Sequence, residues 1–335
     1  MKISELGEFG LIDLLAGMVK DGSDPASEAQ KHLLIGIGDD AAAWSGDDSI
    51  QLATTDALIQ DVHFTLDTTT WVELGWKSLA VNLSDIAAMG GLPRYALVSL
   101  ALPPQIEVEQ VTDLYKGMLS LAQQFDVAII GGNMSSSPVV AINITVIGST
   151  GSPDKTRMLT RSAARPGDEI AVTGNPGLAA AGLEIITKNS SLPPDVKDLL
   201  TRAFLTPFPR VAEGRALVAA GVRASIDISD GLLSDLRHIC QASKVGARIE
   251  IDRLPLHPAL KTAFPRRAIE FALSGGEDYE LLFTAPPETM HKLQDSIKCR
   301  MTVIGKITAE NAGEVKVIDS KGNPVDHSKM GWTHF

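Results

Sequence analysis

The sequence predicts a mixed α/β (α+β) fold arranged as two domains, each with its own core. Three observations lead there. The chain has 335 residues, 44% hydrophobic and 21% charged, which is enough apolar material for two cores without staples. Segments with apolar residues at helical spacing alternate with short β-branched runs along its whole length. Near the middle, small and turn-forming residues at 148–154 interrupt that alternation and divide residues 1–150 from 151–335. No short-period repeat is present.

In the first half, apolar spacing predicts a helix over 11–19, a polar loop over 23–30, and a strand over 33–37 leading into Gly38-Asp39-Asp40. A second strand over 49–54 ends in Thr54-Thr55-Asp56. The stretch 71–89 reads as a helix closed by Gly90-Gly91-Leu92-Pro93, with Asn82, Ser84 and Asp85 interrupting an otherwise apolar surface. A strand over 95–102, a helix over 108–125 and strands over 127–130 and 139–147 follow. Between the last two, Gly131-Gly132-Asn133-Met134-Ser135 reads as a turn whose glycines admit a ligand close to the backbone.

The second half opens with the turn Arg165-Pro166-Gly167-Asp168 and a strand over 169–173. Helices are expected over 178–187, 196–204 and 211–220, then a strand over 224–228. Gly231 opens an amphipathic helix through Leu232, Leu233, Leu236 and Ile239. A strand over 247–251 precedes a helical stretch that ends in Ser274-Gly275-Gly276-Glu277-Asp278-Tyr279. The remainder reads as a strand through Phe283, a helix over 287–297, strands over 301–304 and 315–318, and the tail Gly331-Trp332-Thr333-His334-Phe335.

Bulk properties exclude several classes. A net charge of −11 without clustered Lys and Arg argues against a nucleic-acid surface. The N-terminus lacks an apolar signal core and no apolar run approaches the ~20 residues of a membrane span, so a soluble chain is expected. Cys240 and Cys299 offer neither a zinc spacing nor a disulfide framework, which suits a cytoplasmic location. The P-loop, the protein-kinase signatures and the Gly-x-Ser-x-Gly elbow are all missing.

What remains is a set of aspartates: Asp39 with Asp40, Asp56, Asp85, and the pair Asp227 and Asp230. Taken singly, each is an ordinary cap or turn residue. Gathered together they need cations, because two carboxylates 4 Å apart repel by about 4 kcal/mol at an effective dielectric of 20. Oxygen ligands without Cys or His select hard ions, and Mg²⁺ shared with phosphates fits best. The Ser229-Asp230 junction before a helix can hold an anion on backbone amides, a cation on Asp227 and Asp230, or serve only as a cap. His63 can bond a turn or face a ligand, the 275–279 glycines and acids can form a tight turn or a ligand rim, and Trp332 can fill a core or stack.

Assembled end to end, these segments resemble the thiamine-monophosphate kinases. The resemblance rests on Gly7-Glu8-Phe9-Gly10, Ile37-Gly38-Asp39-Asp40-Ala41-Ala42, Thr54-Thr55-Asp56 with Val62-His63-Phe64, and Gly75-Trp76-Lys77 leading to Asn82-Leu83-Ser84-Asp85. It continues through Gly131-Gly132-Asn133, Asp227-Ile228-Ser229-Asp230-Gly231-Leu232, Gly275-Gly276-Glu277-Asp278-Tyr279 and Gly331-Trp332. It implies ATP-dependent phosphorylation of thiamine monophosphate to the diphosphate. It also implies the two-domain fold of aminoimidazole ribonucleotide synthetase, with the N-terminal sheets of two subunits pairing in a homodimer.

By the same resemblance, the Mg²⁺ ligands fall on Asp40, Thr54, Thr55, Asp56, Asp85, Asn133, Asp227 and Asp230. Nucleotide contacts fall on Tyr115, Gly132, Asn133, Arg161 and Ser229, and substrate contacts on His63, Glu277 and Trp332. Asp230 and Arg161 are the expected catalytic groups. Asn133 stands where relatives commonly carry Asp, which keeps an oxygen but lowers the local charge. Among enzymes of this fold, selenophosphate synthetase calls for a reactive Cys near the N-terminus and the hydrogenase-maturation protein for a terminal Cys; neither is here. Aminoimidazole ribonucleotide synthetase is the main enzyme alternative, and a non-catalytic nucleotide or metal sensor is the alternative of another class.

Overall fold

The computed structural model describes residues 1–37, 42–46, 48–154, 157–188, 192–294, 296–325 and 331. The chain divides into two compact units, Met1–Ile86 with Leu92–Pro153, and Ala87–Gly91 with Asp154–Phe335.

The first unit begins with helices α1 (Ile3–Leu6), α2 (Glu8–Gly22) and α3 (Glu28–His32) and the small ribbon β1 (Leu33–Ile35) with β2 (Ala43–Trp44). Then come β3 (Gln51–Ile59), α4 (Trp71–Ala88), β4 (Leu92–Leu102), α5 (Val108–Gln124), β5 (Ala128–Ser136) and β6 (Ala141–Ser149). The sheet order is β3-β6-β4-β5. β4 and β5 run parallel, as the α5 crossover requires, and the other neighbours are antiparallel.

A capping box starts α4: Thr70 Oγ1 accepts from the Glu73 amide at 3.3 Å, and Glu73 Oε2 accepts from the Thr70 amide at 2.9 Å. Its apolar stripe buries Leu74, Leu79, Leu83 and Ile86. Two glycines let α4 and α5 touch backbone to backbone. A Cβ on Gly75 would lie 1.8 Å from the Leu114 carbonyl oxygen, and one on Gly117 would lie 1.9 Å from that of Val72.

The structure corrects three sequence expectations in this unit. β3 does not stop at Thr54 but runs to Ile59, because β6 offers it a partner at every position from Gln51 to Ile59. Thr54 and Asp56 therefore lie within a strand. The stretch 131–135 is likewise not a turn but the second half of β5, paired with β4. Gly132 is there for strand contact, since a Cβ would sit 1.8 Å from the Val98 carbonyl oxygen. The polar segment 23–30 is not all loop: Ser27 Oγ accepts from the Gln30 amide at 3.1 Å and starts α3.

The second unit contains β7 (Glu169–Thr173), α6 (Leu178–Lys188), α7 (Pro194–Leu205), α8 (Val211–Ala219), β8 (Ala224–Asp227), α9 (Leu232–Ser243) and β9 (Gly246–Glu250). It continues with α10 (Pro258–Ala263), α11 (Ala268–Ser274), β10 (Leu281–Ala285), α12 (Pro287–Leu293), β11 (Met301–Thr308) and β12 (Val315–Ile318). Its six strands follow the order β12-β9-β11-β7-β10-β8, antiparallel except for the β12–β9 pair.

Leu232, Leu233, Leu236 and Ile239 of α9 pack on Val172, Ile226, Ile249, Leu282 and Ile304 of this sheet. A second cluster joins Ala181, Ile185, Leu200, Leu260 and Phe271 from α6, α7, α10 and α11. Arg210 holds Glu280 in a two-pronged ion pair, Nε to Oε2 at 2.7 Å and Nη2 to Oε1 at 2.6 Å, and Thr173 Oγ1 donates to the same carboxylate at 2.6 Å. Among the described residues, no helix is long and apolar enough to cross a membrane.

Candidate active site

In the first unit, the period-two alternation of β3 turns Leu52, Thr54, Asp56 and Leu58 to one face. That face meets the polar residues of α4, Ser78, Asn82 and Asp85, which share one side of the helix by their spacing. Thr54 Oγ1 donates to Asp85 Oδ2 at 2.5 Å, and Asn82 Oδ1 accepts the Asp56 amide at 3.0 Å. Asn82 is itself fixed, fully buried with its Nδ2 donating to the Ser78 carbonyl at 3.0 Å.

The Asp56 carboxyl is pushed up to about 6, first by burial and then by the neighbouring Asp85 charge. Two carboxylates brought together are oxygen donors of the kind a hard cation takes. Asn82, which sequence reasoning noted as a polar interruption and as part of the 82–85 motif but gave no role, ties β3 to the helix here alongside the Thr54–Asp85 bond.

Thr55 faces the other way. Its hydroxyl donates to Asn143 Oδ1 at 3.0 Å and accepts from Thr145 at 3.1 Å, on the open face of the sheet. Asn133 also falls on that face by strand alternation, on the far edge strand. Asp56, Ile144, Val98 and Gly132 form one row across the sheet, so Gly132 stands about 14 Å from Asp56, three inter-strand spacings away.

At that edge lies a cleft of about 130 Å³ lined by Ile12, Leu15, Val98, Tyr115, Gly132 and Asn133, among others. Burial pushes the Tyr115 phenol up, so it is protonated at neutral pH. Three of the residues expected to contact nucleotide, Tyr115, Gly132 and Asn133, thus line one cleft. His63 Nδ1 accepts the Ile59 amide at 3.0 Å, which leaves the proton of the neutral ring on Nε2. Asp40 and Trp332 lie outside the described residues.

In the second unit, β8 delivers Asp227, 4% exposed, opposite Leu281 of β10. The chain then turns through Ile228, Ser229, Asp230 and Gly231 into α9. Neither Ser229 nor Asp230 is the N-cap; Gly231 takes that place, with φ +127° and no side-chain cap bond. The capping carboxylate comes from within the helix. Asp235 Oδ2 accepts from the amides of Ser229, Asp230 and Gly231 at 3.1, 3.2 and 3.0 Å. Sequence reasoning did not single out Asp235; an Asp four residues beyond a helix-opening glycine was the available signal.

The loop is clasped from its other side by the segment Gly275–Glu280. The Ser229 carbonyl accepts from the Glu277 amide at 2.7 Å, the Ile228 carbonyl from Tyr279 at 2.8 Å, and the Ile228 amide donates to the Glu280 carbonyl at 2.8 Å. Glu277 and Tyr279 hold left-handed backbone, φ +66° and +51°, a strain typical of ligand-contacting loops. Between them Asp278 turns inward rather than forming a rim. It accepts from the Gly177 amide at 2.6 Å and the Ala179 amide at 3.1 Å, capping α6, and burial lifts it to about 8.

Added Cβ atoms on Gly276 and Gly331 would lie 2.6 Å from the Ser229 and 2.7 Å from the Asp230 carbonyl oxygen, so glycine is required at both. Arg161 is exposed and follows Thr160, which bridges to Ala224, the opposite end of β8 from Asp227.

Asp230, Asp235 and His238 place ligand atoms within 4.8 Å of one another. Apart from His238, the side-chain donors of both units' acid groups are oxygens, a set that fits Mg²⁺ rather than a softer ion.

Comparison with known proteins agrees with this architecture. The family models for AIR synthase related proteins match residues 38–150 with the N-terminal domain and 165–318 with the C-terminal domain. Over 338 residues the chain is 36% identical to the thiamine-monophosphate kinase of Aquifex aeolicus, covering 100% of both. The crystal structure of thiamine-monophosphate kinase from Stenotrophomonas maltophilia is 34% identical, with a TM-score of 0.80 over 95% of this chain and 98% of that one. AaThiL complexed with AMPPCP and TMP is 35% identical, with a TM-score of 0.77 over 100% and 99%.

Proposed function

The chain belongs to the thiamine-monophosphate kinases and carries both AIR synthase related domains, and from that premise we propose that it uses ATP to phosphorylate thiamine monophosphate to thiamine diphosphate. The observation that carries this reading is the likeness, along the whole chain, to AaThiL complexed with AMPPCP and TMP.

The residues suit the chemistry. A phosphate monoester has a second pKa near 6, so at neutral pH the acceptor is already mostly a dianion and needs no general base. The obstacle is the meeting of two anions. Thr54, Asp56 and Asp85 of the first unit and Asp227 and Asp230 of the second are the proposed ligands of several Mg²⁺ ions, with Asp40 completing the set; Thr55 and Asn133, which the resemblance also counted as ligands, lie on the opposite face of the sheet from Asp56. Bound Mg²⁺ supplies positive charge that offsets the repulsion between phosphates.

Tyr115, Gly132, Asn133 and Ser229 seat the nucleotide, and Arg161 adds charge against its phosphates. His63, Glu277 and Trp332 hold the substrate. An acceptor phosphate oxygen attacks the γ-phosphorus in line while the bond to the β–γ bridging oxygen breaks, and ADP leaves. No phosphoenzyme forms.

The open face of the first unit's sheet, which carries Thr55, Asn143 and Thr145, is the surface proposed to pair with a second copy. The same reading sets the reaction in the cytoplasm.

Incubation with ATP, Mg²⁺ and thiamine monophosphate should yield one thiamine diphosphate per ADP. Failure to form it would end the reading. A chiral γ-phosphate should emerge inverted, and retention or a trapped phosphoprotein would contradict direct transfer. Light scattering should give twice the monomer mass.

A further inference from the structure

Asp235 is one of the most buried charged side chains described, 1% exposed. One of its oxygens takes three successive amides, those of Ser229, Asp230 and Gly231. A usual N-cap residue precedes its helix and satisfies an amide within it. Here a residue in the first turn of α9 reaches back over the loop that precedes it. On the far side of that loop the Ile228 and Ser229 carbonyls accept from Tyr279 and Glu277. Each peptide plane leading to Asp230 is therefore fixed.

The Asp235 carboxyl also lies within 4.8 Å of the ligand oxygen of Asp230. Its placement suits a loop that must hold its geometry while carrying Asp230.

We propose that Asp235 is a positioning residue for phosphoryl transfer. It fixes the Ser229–Gly231 backbone so that Asp230 and Ser229 present their side chains correctly, and it does not itself bind a reactant. This inference rests on the kinase reading above.

The test uses Asp235→Asn, which keeps the shape but weakens the acceptor, and Asp235→Ala, which removes it. Hydrogen–deuterium exchange of peptides spanning 228–233 is read beside steady-state kinetics and melts of the cation-free protein. We expect exchange there to speed up by about 10-fold or more in the Ala variant. For Asp235→Asn we expect kcat to fall about 10- to 100-fold, KM for thiamine monophosphate to stay within about threefold, and the cation-free melting midpoint to hold or rise. If Asp235→Ala does not fold, the Asn variant decides alone. Unchanged exchange, unchanged kcat, or a kcat loss matched by a lowered midpoint would overturn the proposal. A wild-type protein that makes no thiamine diphosphate would sink the kinase reading instead, while the exchange arm still reports whether Asp235 holds the loop.

Discussion

The two units carry their acids by different means. In the first, Thr54 and Asp56 sit on a paired strand and Asp85 on an 18-residue helix, so regular geometry aims them and Asn82 locks the elements together. In the second, Asp227 ends the paired strand β8, but Asp230 stands on a loop with no ladder of its own, and its aim depends on Asp235, on the strained 277–279 segment, and on glycines at contact points. Regular structure positions a side chain with what the fold already provides. A loop needs dedicated, buried and individually unfavourable groups to do the same.

The contrast is broken most severely at the brace behind the loop. Arg210→Leu leaves the Glu280 carboxylate buried without its partner, and should cost about 3–5 kcal/mol in urea denaturation. A loss under about 1 kcal/mol would mean that the loop side is not braced as described.

Next in size, Asp85→Asn and Asp230→Asn should each lower kcat/KM by about 100-fold or more. Circular dichroism melts should move by only a few degrees. If the Asp85 change instead melts the protein, its role is to anchor β3 through Thr54.

A smaller effect separates the units by pH. The Asp56 carboxyl is pushed up to about 6 in the folded state from the ordinary aspartate value of 3.8, so the folded state holds the proton more tightly. Stability contributed by this group is therefore present below about pH 4 and is lost as pH rises to about 6. In cation-free protein, Asp56→Asn should melt higher than wild type above pH 6 and level with it below pH 4, and Mg²⁺ at pH 7 should narrow the gap. A gap that widens with added Mg²⁺ would argue against a cation there.

The smallest change expected is in His63→Gln, which should raise KM for thiamine monophosphate several-fold with kcat little altered. Loss of one limb of the pH–rate profile would instead make His63 a proton carrier.

Much of the architecture was legible from residue pattern. Glu169–Thr173 and Val315–Ile318 are strands at the expected bounds, and Gly231 opens α9 as its position suggested. The errors share a physical origin. Asp56 and Gly131-Gly132-Asn133 look like strand ends because Asp, Gly and Asn favour turns, yet β6 and β4 supply hydrogen-bond partners that carry both strands onward.

The acids themselves were found by type, but which face each occupies was not. Thr55 lies one residue from Asp56 and points away from it, a consequence of strand length that the short reading of β3 concealed. Asp235 was missed because its importance comes from the amides it collects, and amides leave no mark in a sequence.

Gly75 and Gly117 have a consequence beyond packing. Each helix sets its missing side chain against a carbonyl of the other, so neither rolls nor slides without the pair coming apart. Asn82 and Asp85 ride on that interlocked pair, and their depth relative to β3 is settled when the protein folds. The cation seat proposed for the first unit is thus a preformed socket: magnesium arriving there should change charge and protonation but leave the backbone where it was.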